Sequence, residues 1–358
     1  MLAKVERVPE RKKVSEKKTG EAPISRVGWI VFWSTCAYVV AVLALWWMHW
    51  SYVDDWWFPT VLSFGPTYLY LAPMVLLVPA GAIWYRRSLW PLAAAALIIV
   101  FPIMNLRLGA IAAGPPSSDS QSLRILTCNV FRQKDLARLK TFVETENADL
   151  LLLQEAPAEA LGILDLGESW HCKQWGELVI ASRYPITDSS EHSAPLSSFR
   201  QLMLTCEIAM PGRKVRVSCI HFMTLRPGLS AVLERNRNSP QIVTENNAER
   251  WSDAIFVGNH LENDKTASIL AGDFNTTTEG QILARICPYW HNAFSEVGRG
   301  LGWTKRTRWH GVRIDHILAS EECRFQDCRV LGDVGSDHRP VVATVWIPPQ
   351  KAASPEDR

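Results

Sequence analysis

The sequence predicts an α+β sandwich, two β-sheets packed face to face with helices outside, carried behind three transmembrane helices. Three observations support this. Residues 28–110 are nearly free of charge and crowded with Trp, Leu, Ala and Val, whereas residues 121–348 have the mixed composition of a globular domain. In that second part, short strand-like apolar runs recur between loops, with few helical stretches. Several of these runs end in a carboxylate, an amide or a histidine. A chain of 358 residues has room for more than one unit, and its net charge of +2 averages over two unlike parts. No basic excess announces nucleic-acid binding, although a local patch would suffice.

Residues 1–27 hold eight Lys or Arg against four Glu and carry no apolar stripe. This predicts a disordered basic cytoplasmic tail. Segments 28–50, 60–84 and 89–109 each approach or exceed the ~20 residues that a spanning helix needs. Trp29, Trp33, Trp46, Trp47, Trp50, Trp56, Trp57, Trp84 and Trp90 gather near their ends, as in interfacial aromatic belts. A cleaved signal peptide would have one shorter apolar core, and buried soluble helices would keep a polar face. The basic tail and the Tyr85-Arg86-Arg87 loop are expected to stay cytoplasmic, with Asp54 and Asp55 on the other side. Three spans then put the rest of the chain outside the cytoplasm. The expected divisions are a tail over 1–27, a membrane region over 28–110, a linker over 111–122, the globular domain over 123–348 and a disordered tail over 349–358. The lipid bilayer is thus a partner through three helices. A transport role would call for an intramembrane charge pair, which is lacking, and no protein partner is evident.

None of the eight cysteines forms a CxxC pair, so zinc and thioredoxin-type redox chemistry are not expected. Cys128 and Cys219 fall in strand patterns and read as small buried apolar residues. Cys323 and Cys328 could bridge in an oxidising compartment.

The globular part opens with a strand over 123–130 and an amphipathic helix over 134–146, with Leu136, Leu139, Phe142 and Val143 at helical spacing. The apolar run over 149–154 predicts a strand buried on both faces. Further strands are expected over 177–182, 201–209, 214–222, 267–271, 312–319 and 340–347, with a helix over 241–262. Asn129 closes the first strand, as a turn residue or a ligand. Glu155 follows Leu150-Leu151-Leu152-Leu153-Gln154. Its charge at the rim of the core calls for a cation, a salt bridge or several donors. His221 closes its strand as a structural or a catalytic imidazole. In Gly272-Asp273-Phe274-Asn275 the glycine allows a sharp turn, and Asp273 and Asn275 point one way while Phe274 returns to the core. Asp315 sits mid-strand among apolar neighbours, where it needs a partner such as His338. Finally, Gly335-Ser336-Asp337-His338 presents a carboxylate and an imidazole just before a buried strand. Such a pair can hold a divalent metal and place a proton at one point.

In this order (N, QE, H, GDFN, D, SDH) the residues resemble the endonuclease/exonuclease/phosphatase superfamily across 123–347, with a lesser match at Ala181-Ser182-Arg183-Tyr184-Pro185. The resemblance implies a four-layered, deoxyribonuclease-I-like sandwich and hydrolysis of a phosphoester by in-line attack of water, dependent on Mg²⁺ with Mn²⁺ able to replace it. By that resemblance Asn129, Glu155 and Asp337 hold or orient the metal. Asp273 orients or deprotonates the water, and Asn275 hydrogen-bonds the phosphate. His338, oriented by Asp315, stabilises or protonates around it, and His221 faces the same phosphate. There are departures. Ala156-Pro157 stands where deoxyribonuclease-like members carry an arginine, and no counterpart of the apurinic endonucleases' tyrosine is found. The stretch from Gly298 to Thr304 resembles membrane-anchored bacterial members, implying a multi-pass protein of the bacterial inner membrane. The expected substrate is nucleic acid, with a phospholipid headgroup or an inositol phosphate as alternatives. A catalytically idle membrane scaffold or receptor is the reading from another class, and the intact set of polar side chains speaks against it.

Overall fold

The computed structural model describes residues 24–110, 114–261, 266–286, 288–307 and 309–349. Both expected tails lie almost wholly outside the described residues, as do residues 111–113 of the expected linker.

The amino-terminal apolar region comprises α1 (Arg26–Tyr52), α2 (Trp57–Ser63), α3 (Met74–Trp84) and α4 (Leu89–Ile98), the last continued by a π-turn over Ile99–Ile103. Three stretches, Arg26–Tyr52, Thr67–Trp84 and Arg86–Ile103, are helices long and apolar enough to cross a membrane. The second is shorter than the sequence implied, because Pro66 and Pro73 interrupt it and α2 stands apart. Proline lacks the N–H that a continuing helix requires. The third stops at Ile103, six residues before the expected end at 109. Arg107–Leu108 (β1) instead pairs antiparallel with Arg299–Gly300 of the globular part.

From there the chain forms β2 (Gln121–Asn129), α5 (Ala137–Thr145), β3 (Leu150–Gln154), α6 (Ala160–Leu164), β4 (His171–Trp175), β5 (Leu178–Ser182), β6 (Ile186–Ala194), β7 (Ser197–Met210) and β8 (Arg213–His221). It continues through α7 (Arg226–Leu233), α8 (Ser239–Leu261), β9 (Ser268–Asp273), α9 (Gln281–Ile286), β10 (His291–Asn292), α10 (Ala293–Val297) and β11 (Arg299–Gly300). The short strands β12 (Lys305–Arg306) and β13 (Gly311–Val312) precede β14 (Asp315–Ala319), β15 (Arg324–Val330) and β16 (Val341–Ile347). One six-stranded sheet has the order β15-β16-β2-β3-β5-β4 and the other β10-β14-β9-β8-β7-β6. The β2/β3 and β8/β9 pairs are parallel.

Alternation along the strands builds the layers. Leu123, Ile125, Leu150 and Leu152 face Leu204, Val217, Ile269 and Ile317 between the sheets. Leu126, Leu151 and Leu153 turn outward onto Leu139 and Val143 of α5. On the opposite outer face Met203, Ile220 and Leu270 meet Ala254 and Val257 of α8 and Ile282 of α9. The central strands are therefore buried on both faces, which explains their unbroken apolar runs. Leu152 is fully buried between the sheets. Leu152→Ala is expected to cost about 2–5 kcal/mol, read as a lowered urea midpoint of unfolding.

Two expectations change in detail. The strand expected over 312–319 is split: Gly311–Val312 belongs to a hairpin with Lys305–Arg306, and Asp315 opens β14 rather than lying mid-strand. Cys323 and Cys328 are both buried free thiols.

Candidate active site

The topology gathers strand ends at one edge of the sandwich. Because β2 runs parallel to β3 and β8 to β9, their carboxyl ends coincide. Asn129 lies in register with Gln154, and His221 with Asp273. Antiparallel β14 begins at the same edge, with Asp315 opposite Asp273. Gly272 makes the close approach possible: its φ is +145°, and a Cβ there would lie 2.1 Å from the Ile220 carbonyl oxygen. Glu155 and Asn275, just past two of these strands, adopt left-handed φ values of +48° and +47°. Non-glycine residues in that region cost of order 1–3 kcal/mol, and they concentrate at functional sites.

The side chains converge on Asp273. Asn129 Nδ2 donates to Glu155 Oε1 and to Asp273 Oδ2, both at 3.0 Å. The two imidazoles flank the same carboxylate, His221 Nε2 at 3.8 Å and His338 Nε2 at 3.7 Å from Asp273 Oδ2. The Asn275 backbone N–H donates to Asp273 Oδ1 at 2.9 Å, and its side-chain amide donates to the Phe222 carbonyl at 3.0 Å. Behind His338, Asp315 accepts from Nδ1 at 2.8 and 3.1 Å. The Asp337 turn is tied to β2, since Ser336 Oγ donates to the Asn129 carbonyl at 2.8 Å. All eight side chains singled out from the sequence thus lie in one connected cluster.

Sequence reasoning missed the cations. Lys305 Nζ reaches Asp337 Oδ2 at 2.9 Å and His338 Nε2 at 2.8 Å. Arg226 NH2 reaches the same Asp337 oxygen at 3.2 Å. Arg132 and Arg200, with Arg226 and Lys305, are among the residues that line a cleft of about 240 Å³. Lys305 is placed by an isolated bridge from β12 to His338, a pairing that no local pattern announces. A larger groove of about 800 Å³ beside α8, lined by residues that include Trp251, Arg285 and Tyr289, holds no comparable constellation among the described residues.

The electrostatics follow from burial. Desolvation, then the charge of Asp315, raises the pKa of Asp273, with His338 and His221 pulling the other way. Asp315 is lowered: burial opposes its ionisation, but His338 outweighs it by charge and hydrogen bond. Burial also works against the His338 imidazolium, yet Asp315 and Asp273 together lift its pKa to about 9. His316, by contrast, falls to about 4 through burial and Arg313. It contacts the Thr276 carbonyl at 3.0 Å and serves the scaffold.

Two sets of donors could hold a divalent ion. Asp273, Asp315 and His338 each place one donor within 4.8 Å of the others, but both Asp315 oxygens are engaged by the imidazole. The second set fits better. Lys305 and Arg226 occupy only Oδ2 of Asp337, and Oδ1 is buried without a hydrogen-bond partner. With the Glu155 carboxylate it offers hard oxygen donors of the kind Mg²⁺ and Mn²⁺ accept, while Asn129 turns its Nδ2 toward Glu155 and its Oδ1 accepts from the Phe131 N–H at 2.9 Å.

Residues 126–338 match the profile of the Endonuclease/Exonuclease/phosphatase family, and the chain belongs to that family. The matched span runs from within β2 to His338 and contains all eight side chains. The fold is similar to that of humanized D. rerio TDP2, at 17% identity and a TM-score of 0.51, over 63% of this chain and 98% of that chain. An endonuclease/exonuclease/phosphatase family protein from Bacteroides thetaiotaomicron aligns at 15% identity and a TM-score of 0.50, over 64% of this chain and 99% of that one. D. rerio TDP2 complexed with single strand DNA product gives 16% identity and a TM-score of 0.50, over 63% and 99%. At these identities the structures establish the shared fold. No curated protein matches the chain by sequence. Family membership makes the chain a metal-dependent hydrolase of phosphoester bonds.

Proposed function

We propose that this chain is a membrane-anchored phosphodiesterase that uses Mg²⁺ or Mn²⁺ and the cluster around Asp273 to hydrolyse its substrate by in-line attack of water. One observation carries this reading: a buried, proton-seeking carboxylate lies between two imidazoles, one of them biased toward imidazolium by Asp315. Asp273 orients the attacking water and takes its proton, a role that its raised pKa favours. His338 and His221 hold the non-bridging phosphate oxygens as charge builds, and Asn275 adds an amide donor. Asn129, bridging Glu155 and Asp273, fixes their spacing. Glu155 and Asp337 would hold the cation, with Asn129 alongside, and the bound cation would supply charge neutralisation at the phosphate. Lys305 and Arg226 extend the positive surface to the mouth of the cleft.

A nucleic-acid strand suits that mouth. Arg226 stacks 5.3 Å from the centroid of the exposed Phe131 ring, and cations interleaved with aromatics favour single-stranded backbones and bases. The TDP2 structure with single strand DNA product has a similar fold. A phospholipid headgroup is the second reading, favoured by the contact of the membrane hairpin with the loop that follows Asp273. The anchor is read as three spans with the catalytic domain outside the cytoplasm of a bacterium. A reporter fused after residue 118 is expected to be active only on the external side, and cytoplasmic activity would reverse that orientation.

Glu155→Gln removes one anionic oxygen while keeping shape. The half-saturating Mg²⁺ concentration is expected to rise about tenfold or more, measured by titrating activity in the full-length protein. An unaltered titration would remove Glu155 from the metal site.

A further inference from the structure

The globular domain buries a charge that it cannot neutralise alone. Arg250 of α8 is fully buried. Within the domain its guanidinium finds neutral acceptors, the Asn275 carbonyl at 2.8 Å and Asn247 Oδ1 at 2.7 Å. The nearby Asp253 is already engaged by both oxygens with Arg200. The anion comes from the membrane region. Asp54, in the turn between α1 and α2, is fully buried and pairs with Arg250 NH2 at 2.9 Å. Desolvation pulls Arg250 below its ordinary pKa, and Asp54 is the strongest influence holding it charged.

The fit around Asp54 is specific. Its other oxygen accepts from Thr276 Oγ1 at 2.9 Å, its backbone N–H donates to Thr60 Oγ1 at 3.1 Å, and its carbonyl accepts from Trp251 Nε1 at 3.2 Å. The residue adopts a left-handed φ of +75° to enter. A Cβ on Gly280 would lie 2.2 Å from Asp54 Oδ2, so glycine leaves the space for the carboxylate. Asp54 therefore touches the backbone partner of Asn275 on one side and the residue after Asn275 on the other. Asn275 itself holds a left-handed φ of +47°, a conformation that persists only when its surroundings over-determine it.

We infer that Asp54 is a positioning residue of the active site: through Arg250 and Thr276 the first membrane hairpin sets the loop that aims Asn275 at the phosphate. The inference rests on the phosphodiesterase reading above. It makes the membrane region part of the catalytic machinery as well as an anchor, because a charge pair split across two regions closes only when they dock.

The test uses the full-length protein in detergent micelles, with Mg²⁺ and bis-p-nitrophenyl phosphate. Asp54→Asn is expected to lower kcat about 10- to 100-fold, the scale of a displaced catalytic group, with KM nearly unchanged. In an Asn275→Ala background the same substitution is expected to add no further loss, since its effect runs through Asn275. Thr276→Val, which keeps the buried volume, is expected to show a smaller loss of the same kind and serves if Asp54→Asn does not fold. Unchanged kcat in a folded variant, or equal losses in both backgrounds, would overturn the inference. Hydrogen exchange gives a readout independent of turnover: residues 274–277 are expected to exchange faster in Asp54→Asn while β3 stays protected. Should the wild type hydrolyse nothing, the functional reading falls, and exchange alone then decides whether the hairpin holds the loop.

Discussion

Asp273→Asn is expected to lower kcat by about 10²–10⁴-fold, the range for losing a positioned general base, while KM changes little. The substitution keeps the shape of a side chain that is 1% exposed, so packing survives. It removes the charge on which Asn129, His221, His338 and the Asn275 backbone all converge. An amide can still orient water, but it cannot take a proton. The check is steady-state hydrolysis of bis-p-nitrophenyl phosphate, with folding followed by circular dichroism. A folded variant retaining a tenth or more of wild-type kcat would exclude Asp273 as the base.

Asp315→Asn is expected to act differently, on the pH profile as well as the rate. In the wild type, burial disfavours the imidazolium, but Asp315 and Asp273 raise the His338 pKa to about 9. The charged form therefore dominates below about 9 and is lost as pH rises through it. A step that needs imidazolium keeps its rate to mildly alkaline pH and then declines. Without the Asp315 charge the His338 pKa falls, and the alkaline limb of kcat/KM is expected to move down by about 1–3 units, with a lower plateau. The same sign governs stability. The contribution of the His338–Asp315 pair is complete below the ordinary histidine range and is lost as pH rises through about 9. An alkaline limb that stays in place in Asp315→Asn would show that another group controls it.

Much of this site was legible because each polar residue ends a run whose burial is unmistakable. Four leucines before Gln154-Glu155, and an apolar strand before Gly272-Asp273-Phe274-Asn275, place those side chains at the rim whatever the tertiary arrangement. Phe274 is fully buried, while Asp273 and Asn275 both line the cleft. Strands β4 and β6 escaped notice because they are sheet edges, with exposed and half-exposed residues along their length and little apolar periodicity to detect. The half-buried β15 at the opposite edge behaves similarly, with charges between its few buried positions. The cations were illegible for another reason. Lys305 reaches Asp337 and His338 only because a two-residue strand bridges to His338, and Arg250 reads as an ordinary polar position on a helix. Its partner, Asp54, reads as a solvated turn residue between two apolar segments. Long-range charge pairing leaves no periodicity, so only the fold reveals it.

The most direct measurement is p-nitrophenol release from bis-p-nitrophenyl phosphate by the purified full-length protein, first with Mg²⁺, then with EDTA, then with Mg²⁺ restored. Turnover that vanishes with chelation, returns with the metal and falls about 10²-fold or more in Asp273→Asn is the expected result. Folded protein that shows no metal-dependent turnover, or equal turnover by Asp273→Asn, would contradict hydrolysis at this cluster.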